Sequence, residues 1–386
     1  MTNTLGYTDQ LKYSMAGLRV LENALGAAKA CYRAYDTEKR TSLGAGSTIR
    51  IVRPTALGAP QALGTGTATA LAPEGLEMTL SFAREKNFEV TDTDFAYSGQ
   101  ALIDMHIPRA IYSLVNEMDQ NIWAAAYKGT PWVNNTASTA IGVADLAALS
   151  RILEERGVPI ADSANMWGLI GPTEREALIQ LAAFSQQQGA GESGVAVQRT
   201  GQFSELKYGF NMFSSANRPT HTPGTMADAA GVAAAALIGA TSLPVSSVSS
   251  SGTVKAGDSF SIAGHTQRYV ITADATATTG TIVLSFAPGL EAATAGSEVV
   301  TIDVEGTKVK QSVFMHSEYI AFAMGPLPEY SNMGAQIATA TDPRTGLSVR
   351  TSYGWNQASK KLLFSVDILY GIKVLNPNMA VRSRQA

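Results

Sequence analysis

Apolar residues recur along this chain with a period that changes several times, and each change marks an element. Leu11, Met15, Leu18, Leu21, Leu25 and Ala28 fall at steps of three and four, which predicts one stripe of an amphipathic helix. Charge and glycine in TEKRTSLGAGST, residues 37–48, end it. Alternation then takes over. STIRIVRPT sets Ile49 and Ile51 against Arg50 and Arg53, and LEMTLSFAREKNFEVTD sets Leu76, Met78, Leu80 and Phe82 against smaller or polar residues. Between the two lies ALGAPQALGTGTATALAPEG, rich in Gly, Ala, Thr and Pro and nearly without charge. A stretch of that length with no helix or strand signal is uncommon inside a compact domain. We read it as the tip of a two-stranded arm leaving the body, with a reach of ~33 Å for ten residues per strand. An isolated hairpin is marginal in water, so such an arm should find its partners on a neighbouring molecule.

IPRAIYSLVNEMDQNIWAAAYKG, residues 107–129, is the clearest helix. Pro108 suits a first turn; Ile111, Leu114, Val115, Met118, Ile122 and Ala125 form the stripe, and Gly129 is the stop. VADLAALSRILEERG predicts a second amphipathic helix closed by Gly157, and MWGLIGPTEREALIQLAAFS a buried strand, a turn at Gly171–Pro172 and a third helix. Residues 193–224 read as irregular β with a proline-rich exit. Within 241–303, TSLPVSS, DSFSIAG, QRYVITAD, GTIVLSFAP and EVVTID are short strand candidates separated by Gly, Asp and Pro, the spacing of a small barrel or sandwich. It holds its own apolar set: Phe260, Ile262, Tyr269, Ile271, Ile282, Leu284 and Phe286. After 304 the longer pattern resumes and ends on a long strand in which Leu363, Ser365, Asp367 and Leu369 alternate with Phe364, Val366, Ile368 and Tyr370. The layout is host, insert, host, as expected of a guest domain on an exposed loop.

Composition alters this picture little. The chain has 386 residues, 45% of them hydrophobic and 16% charged, with a net charge of −3; a surface poor in charge is easier to cover with another protein. No basic block marks a sequence-reading nucleic-acid module. After Asp367 the charged residues are Lys373, Arg382 and Arg384, which read as an ordinary solvated tail. MTNTLGYTDQ lacks the features of a signal peptide, and no apolar run is long enough for a membrane span, so the chain is expected to be made in, and initially to stay in, a cytoplasm. The single cysteine, Cys31, is expected to be a buried inert thiol.

Candidate chemistry is sparse. His106, His221, His265 and His316 are far apart, and HExxH, GxSxG, Walker A and EF-hand patterns do not occur. GAGESG at 189–194 reads as a flexible turn, Asp92 and Asp94 as a solvated strand end, and NRPTHTPG around His221 as a rigid connector. No catalytic, cofactor-binding or metal residue is assigned, and the chain is not read as an enzyme.

FEVTDTDFAYS, VAVQRTGQFSELKYGFNMFSSANRPTHT, VKAGDSFSIAGHTQRYVITADATA and the closing KKLLFSVDILYGIKVLNPNMAVRSRQA carry a resemblance. With the order of elements, they resemble the major capsid proteins of tailed bacteriophages, an α+β fold of HK97 type, and most of all the P-22-like coat proteins with an inserted β-barrel domain. The resemblance implies an N-terminal arm and helix at 1–45 and an extended loop with its flanking strands at 46–90. A peripheral domain with a long spine helix would take 91–165 plus 354–386, an axial domain 166–225 plus 304–353, and the inserted barrel 226–303. It further implies an icosahedral shell of hexamers and pentamers enclosing double-stranded DNA in the virion, with a scaffolding protein and a portal as partners. Leu57, Leu63 and Leu71 are then the loop-tip candidates for contact with a neighbouring subunit. Arg382 and Arg384 become candidates for a non-specific contact with packaged DNA. The alternative is another phage or surface structural protein whose β insert binds carbohydrate.

Overall fold

The computed structural model of the chain describes residues 14–18, 21, 26–33, 48–53, 74–135, 141–185, 195, 199, 208–226, 230–246, 248–249, 251–303, 310–329, 336–341 and 347–385. The chain divides into two compact units, one of residues 1–24, 33–115 and 321–375, the other of 25–32, 116–320 and 376–386. The intervals 91–165 and 354–386 each contribute to both.

The first unit is organised by the strand Lys361–Val374. Phe82–Thr91 pairs along one side of it, Tyr370 opposite Phe82 and Lys361 opposite Thr91. Ser348–Asn356 pairs along the other, Arg350 opposite Asp367, and Gln336–Thr341 lies beyond it. Strand alternation puts the aromatic residues on one face: Phe88 stacks on Phe364 at 5.2 Å, Tyr353 lies 5.4 Å from Phe364, and Phe82 stacks on Tyr370 at 5.1 Å. The opposite face carries the ion pairs Glu89–Lys361 and Arg350–Asp367. Leu76, Met78 and Leu80 are apolar positions at period two, as expected, but the run is two strands, Glu74–Thr79 and Phe82–Thr91. At the N-terminus the helical stretch 14–18 turns Ser14 and Gly17 inward and leaves Met15 52% exposed. Leu21 and Ala28 of the expected stripe are buried, while at its start Ser14 faces inward in place of Met15. The reason is polar: Ser14 Oγ donates to the Ala338 carbonyl at 3.1 Å and pairs with Thr351 Oγ1 at 2.5 Å.

The long helix runs Asp92–Gly129, with Pro108 inside it and not in its first turn. An interior proline forfeits one backbone hydrogen bond, a loss that a helix of 38 residues absorbs. Asp92 and Asp94 therefore open a helix and do not end a strand. Ile111, Leu114, Val115, Met118 and Ile122 are all buried, joined by Trp123 and Ala126.

The second unit holds a mixed five-stranded sheet in the order Val133–Asn135, Ala380–Gln385, Lys310–His316, Met166–Ile170, Asn211–Ser214. Both edge pairings are parallel and the inner ones antiparallel. Leu146, Leu149 and Leu153 of helix Val143–Glu155 pack with Leu178, Phe210, Phe314 and Val381 in one core. That helix ends at Gly157 as its spacing predicts. Gly157 N donates to the Glu154 carbonyl and Val158 N to that of Leu153, a pattern requiring a left-handed residue at Gly157, whose φ is +75°.

The same unit contains a closed six-stranded barrel in the order Ser259–Ile262, Arg268–Ile271, Thr281–Ala287, Ser242–Ser246, Ala230–Ala233, Val299–Asp303. Five of these strands are the alternating segments read from the sequence. The sixth, Ala230–Ala233, is small-residue chain with no alternation to signal it; Gly231 admits Val245 and Val248, whose methyls a Cβ would meet at 2.4 and 2.7 Å. The seven apolar residues expected inside are inside, each 2% exposed or less.

Candidate functional site

The hairpin of the first unit is the first surface to consider. Thr48–Arg53 pairs antiparallel with Glu74–Thr79 in a register running from Thr48 opposite Thr79 to Arg53 opposite Glu74. Ile49, Ile51, Met78 and Leu80 pack on Ala321, Ala323 and Leu369, which fixes the register, because a slip of one residue would expose all of them. Gly371 in the long strand lets the returning strand approach: a Cβ there would lie 2.7 Å from the Thr79 carbonyl. The ladder is thus rooted on the body at one end. At the other, Arg53 and Glu74 face each other across the start of the uncharged segment 54–73. Leu57, Leu63 and Leu71 lie in that segment, outside the described residues.

Among the large exposed apolar side chains, two pairs lie close in the chain or across a strand pair. In the first unit, Trp355 and Leu363 are 43% and 47% exposed near the end of adjacent strands, on opposite faces of the sheet, since Trp355 pairs with Leu362 and Leu363 with Gly354. In the barrel, Leu237 and Ile238 stand at 79% and 69% on the loop before Ser242–Ser246. Adjacent, strongly exposed apolar residues of this kind are surfaces that another protein can cover. Ser242, Pro244, Ser246, Thr281 and Val283, outward positions of two neighbouring barrel strands, carry no charge.

The arginines expected in a solvated tail are not there. Ala380–Gln385 is an inner strand of the five-stranded sheet, and Arg382 and Arg384 are 0% and 3% exposed. Arg382 Nη1 donates to the Tyr127 carbonyl at 3.3 Å, and Arg384 Nη2 to Ser259 Oγ at 3.0 Å in the barrel. Side chains so enclosed do not form an electrostatic surface for DNA, and the expectation is corrected accordingly. The signal was available: Val381 and Ser383 alternate with Arg382 and Arg384, a strand pattern whose inward polar residues disguised it. Burial pulls the Arg382 guanidinium well below its ordinary value; Arg384 adds to this, and the Asp258 carboxylate opposes it.

His221, expected in a connector, hydrogen-bonds through Nε2 to Asp258 Oδ1 at 2.7 Å, both residues being buried. Asp258 Oδ2 accepts from Gly224 N at 3.1 Å and Lys255 N at 2.8 Å. His265 meets Tyr269, and His316 lies 3.5 Å from Asp162. Cys31 is buried, its thiol donating to the Ala27 carbonyl. Among the described residues no three His, Cys, Asp or Glu converge as metal ligands, and no helix is long and apolar enough to cross a membrane.

No family model and no curated protein matches the chain. Solved structures resemble it over most of its length. One of Mycobacterium phage Che8 is 13% identical over 92% of this chain and 89% of that one, with a TM-score of 0.49. The capsid structure of the cyanophage P-SCSP1u is 11% identical over 90% and 85%, with a TM-score of 0.48. The asymmetric unit of the mature capsid of bacteriophage PhiM1 is 10% identical over 88% and 82%, with a TM-score of 0.43.

Proposed function

We propose that this chain is the major capsid protein of a tailed bacteriophage, an HK97-like subunit that self-assembles into an icosahedral shell around double-stranded DNA. The observation that carries the reading is the rooted hairpin. Its strands are held on the body by Ile49, Ile51, Met78 and Leu80, and between Arg53 and Glu74 it carries a long segment devoid of charge. A segment like that gains its stability by adding main chain to a neighbour, in the manner of strand addition. Leu57, Leu63 and Leu71 are the side chains proposed to dock there. Closed shells need each patch to meet its complement on the next copy, and many moderate contacts suffice. A scaffolding protein and a portal are the further partners of this reading, the virion is its location, and no catalytic role is assigned.

The rival reading, a carbohydrate-binding insert, finds no support in the barrel. Its aromatic residues are Phe260, Tyr269 and Phe286, and all three lie inside, at 2% exposure or less. None is available to stack on a sugar.

Electron microscopy of the expressed protein, alone and with a co-expressed scaffold, tests the proposal. Closed shells or capsomers are expected from the full chain. Replacing residues 54–73 by Asn-Gly, which closes a two-residue hairpin, should leave a folded subunit that does not assemble. Shells of normal size from that variant would exclude the role given to the segment, and a strictly monomeric full chain would remove the capsid reading.

A further inference from the structure

The long helix ends inside the second unit, where its terminal carbonyls need partners from the protein. The last four carbonyls of a helix have no partner within it, and in Asp92–Gly129 they belong to residues 126–129. Ala126 and Tyr127 are 0% and 5% exposed, and Thr130, just beyond, is fully buried. The next donor for the Tyr127 carbonyl along a helix would be residue 131, a proline, which has no N–H. The macrodipole adds about half a negative charge at this end.

Two side chains 193 and 255 positions away meet those carbonyls. Tyr319 Oη donates to that of Ala126 at 2.6 Å, and Arg382 Nη1 to that of Tyr127 at 3.3 Å. Both donor residues are fully buried. A buried guanidinium is costly by itself, and so is a buried helix end; set against each other, cation and negative pole offset one another. The strand that carries Arg382, Ala380–Gln385, also holds the chain as it leaves the helix. Thr130 Oγ1 donates to the Ala380 carbonyl at 2.5 Å, Arg382 N to the Trp132 carbonyl at 3.0 Å, and Val133–Asn135 pairs in parallel with 382–384.

We propose that Arg382, with Tyr319, is the C-cap of the long helix supplied from across the fold, a clasp that closes only when strand Ala380–Gln385 is seated in the sheet. The helix end with its exit, 126–135, and the strand 380–385 then form and open as one unit. This device belongs to the chain itself and does not depend on the shell reading.

Hydrogen exchange on the full-length protein tests it. Arg382→Met exchanges a buried cation for an apolar chain. Global stability is not the readout, because such replacements are often neutral overall; the local pattern is. Segments 126–130 and 380–385 should both exchange roughly tenfold faster than in the parent, the scale of one hydrogen bond from a charged donor. Segment 116–122 of the same helix and segment 282–286 of the barrel should keep their parental protection. An unchanged helix end, a helix end that speeds while 380–385 does not, or uniform acceleration across the second unit each overturns the clasp. If Arg382→Met does not fold, Tyr319→Phe, which removes a single hydroxyl, carries the same test. Both segments should then speed roughly fivefold, and parental exchange at 126–130 would overturn the proposal.

Discussion

Truncating Phe260 to alanine should cost the barrel about 4 kcal/mol, and to the same extent whether the barrel is attached or excised. Phe260 is fully buried, with the rings of Tyr269 and Phe286 at 5.3 and 5.2 Å, and those two lie 5.2 Å from each other. A buried phenylalanine covers at least ~150 Å² of apolar surface, worth about 4 kcal/mol at about 25 cal/mol per Å², in line with the about 3–5 kcal/mol of measured Phe-to-Ala losses. A body of about 78 residues is stable by about 4–12 kcal/mol at the usual per-residue figure. The substitution therefore removes most of the stability at the lower end of that range and a third of it at the upper. Urea unfolding of excised 226–303, followed by circular dichroism, and exchange of segment 282–286 in the full chain read the two settings. Val283→Thr is the control: Val283 sits between Ile282 and Leu284 on the same strand but is 53% exposed, and should change stability by less than about 0.5 kcal/mol. A Phe260→Ala loss below about 1 kcal/mol, or an equal loss in the control, would refute the account of the core. An excised barrel that is unstructured while the full chain is sound would refute its autonomy.

Other consequences follow from single residues. A side chain at Gly157 would meet nothing within 4 Å, so Gly157→Ala should cost about 1–2 kcal/mol through its positive φ alone, while Gly157→Asn, which tolerates that conformation, should melt closer to the parent. Glu298 accepts hydrogen bonds from the backbone of Ala295, Gly296 and Ser297, which lower its pKa from 4.5 to about 2. Its contribution is complete above about 4.5 and lost as pH falls towards about 2; a carboxyl NMR titration with a midpoint near 4.5 would contradict the turn geometry. Burial raises the Asp119 carboxyl, against the lowering hydrogen bond from Ala27 N at 2.8 Å. The native state therefore binds that proton more tightly than the unfolded chain, and this contribution to stability declines as pH rises. Asp119→Asn should flatten that decline, and a urea midpoint at neutral pH clearly below the parent's would contradict it.

What could be read in advance depended on whether an element announces itself locally. Strands such as Thr281–Ala287 alternate apolar and polar residues because one face is buried and the other wet, and that period is visible without a structure. Ala230–Ala233 closes the same barrel with small residues, so its identity comes from the strands beside it. Pro108 is a local signal that tertiary context overrode: the helix continues through it for another four turns towards Asp92. Ser14 shows the same limit at finer scale, where two hydrogen bonds to Ala338 and Thr351 outweighed the burial of Met15.

The polar joint between barrel and sheet was beyond any local pattern. Arg384 and Ser259 are 125 positions apart, and His221 and Asp258 are 37 apart, so neither pair has a periodicity or spacing that could flag it. Only the topology brings them together, by making the C-terminal segment an inner strand and placing the head of Ser259–Ile262 over it. This explains why two arginines read as a solvated tail proved to be buried. A charged residue near a terminus is soluble by default, and its burial needs partners supplied from elsewhere in the chain. Host and guest keep separate apolar cores and meet through hydrogen bonds such as Arg384 to Ser259 and Gln267 to Asn378.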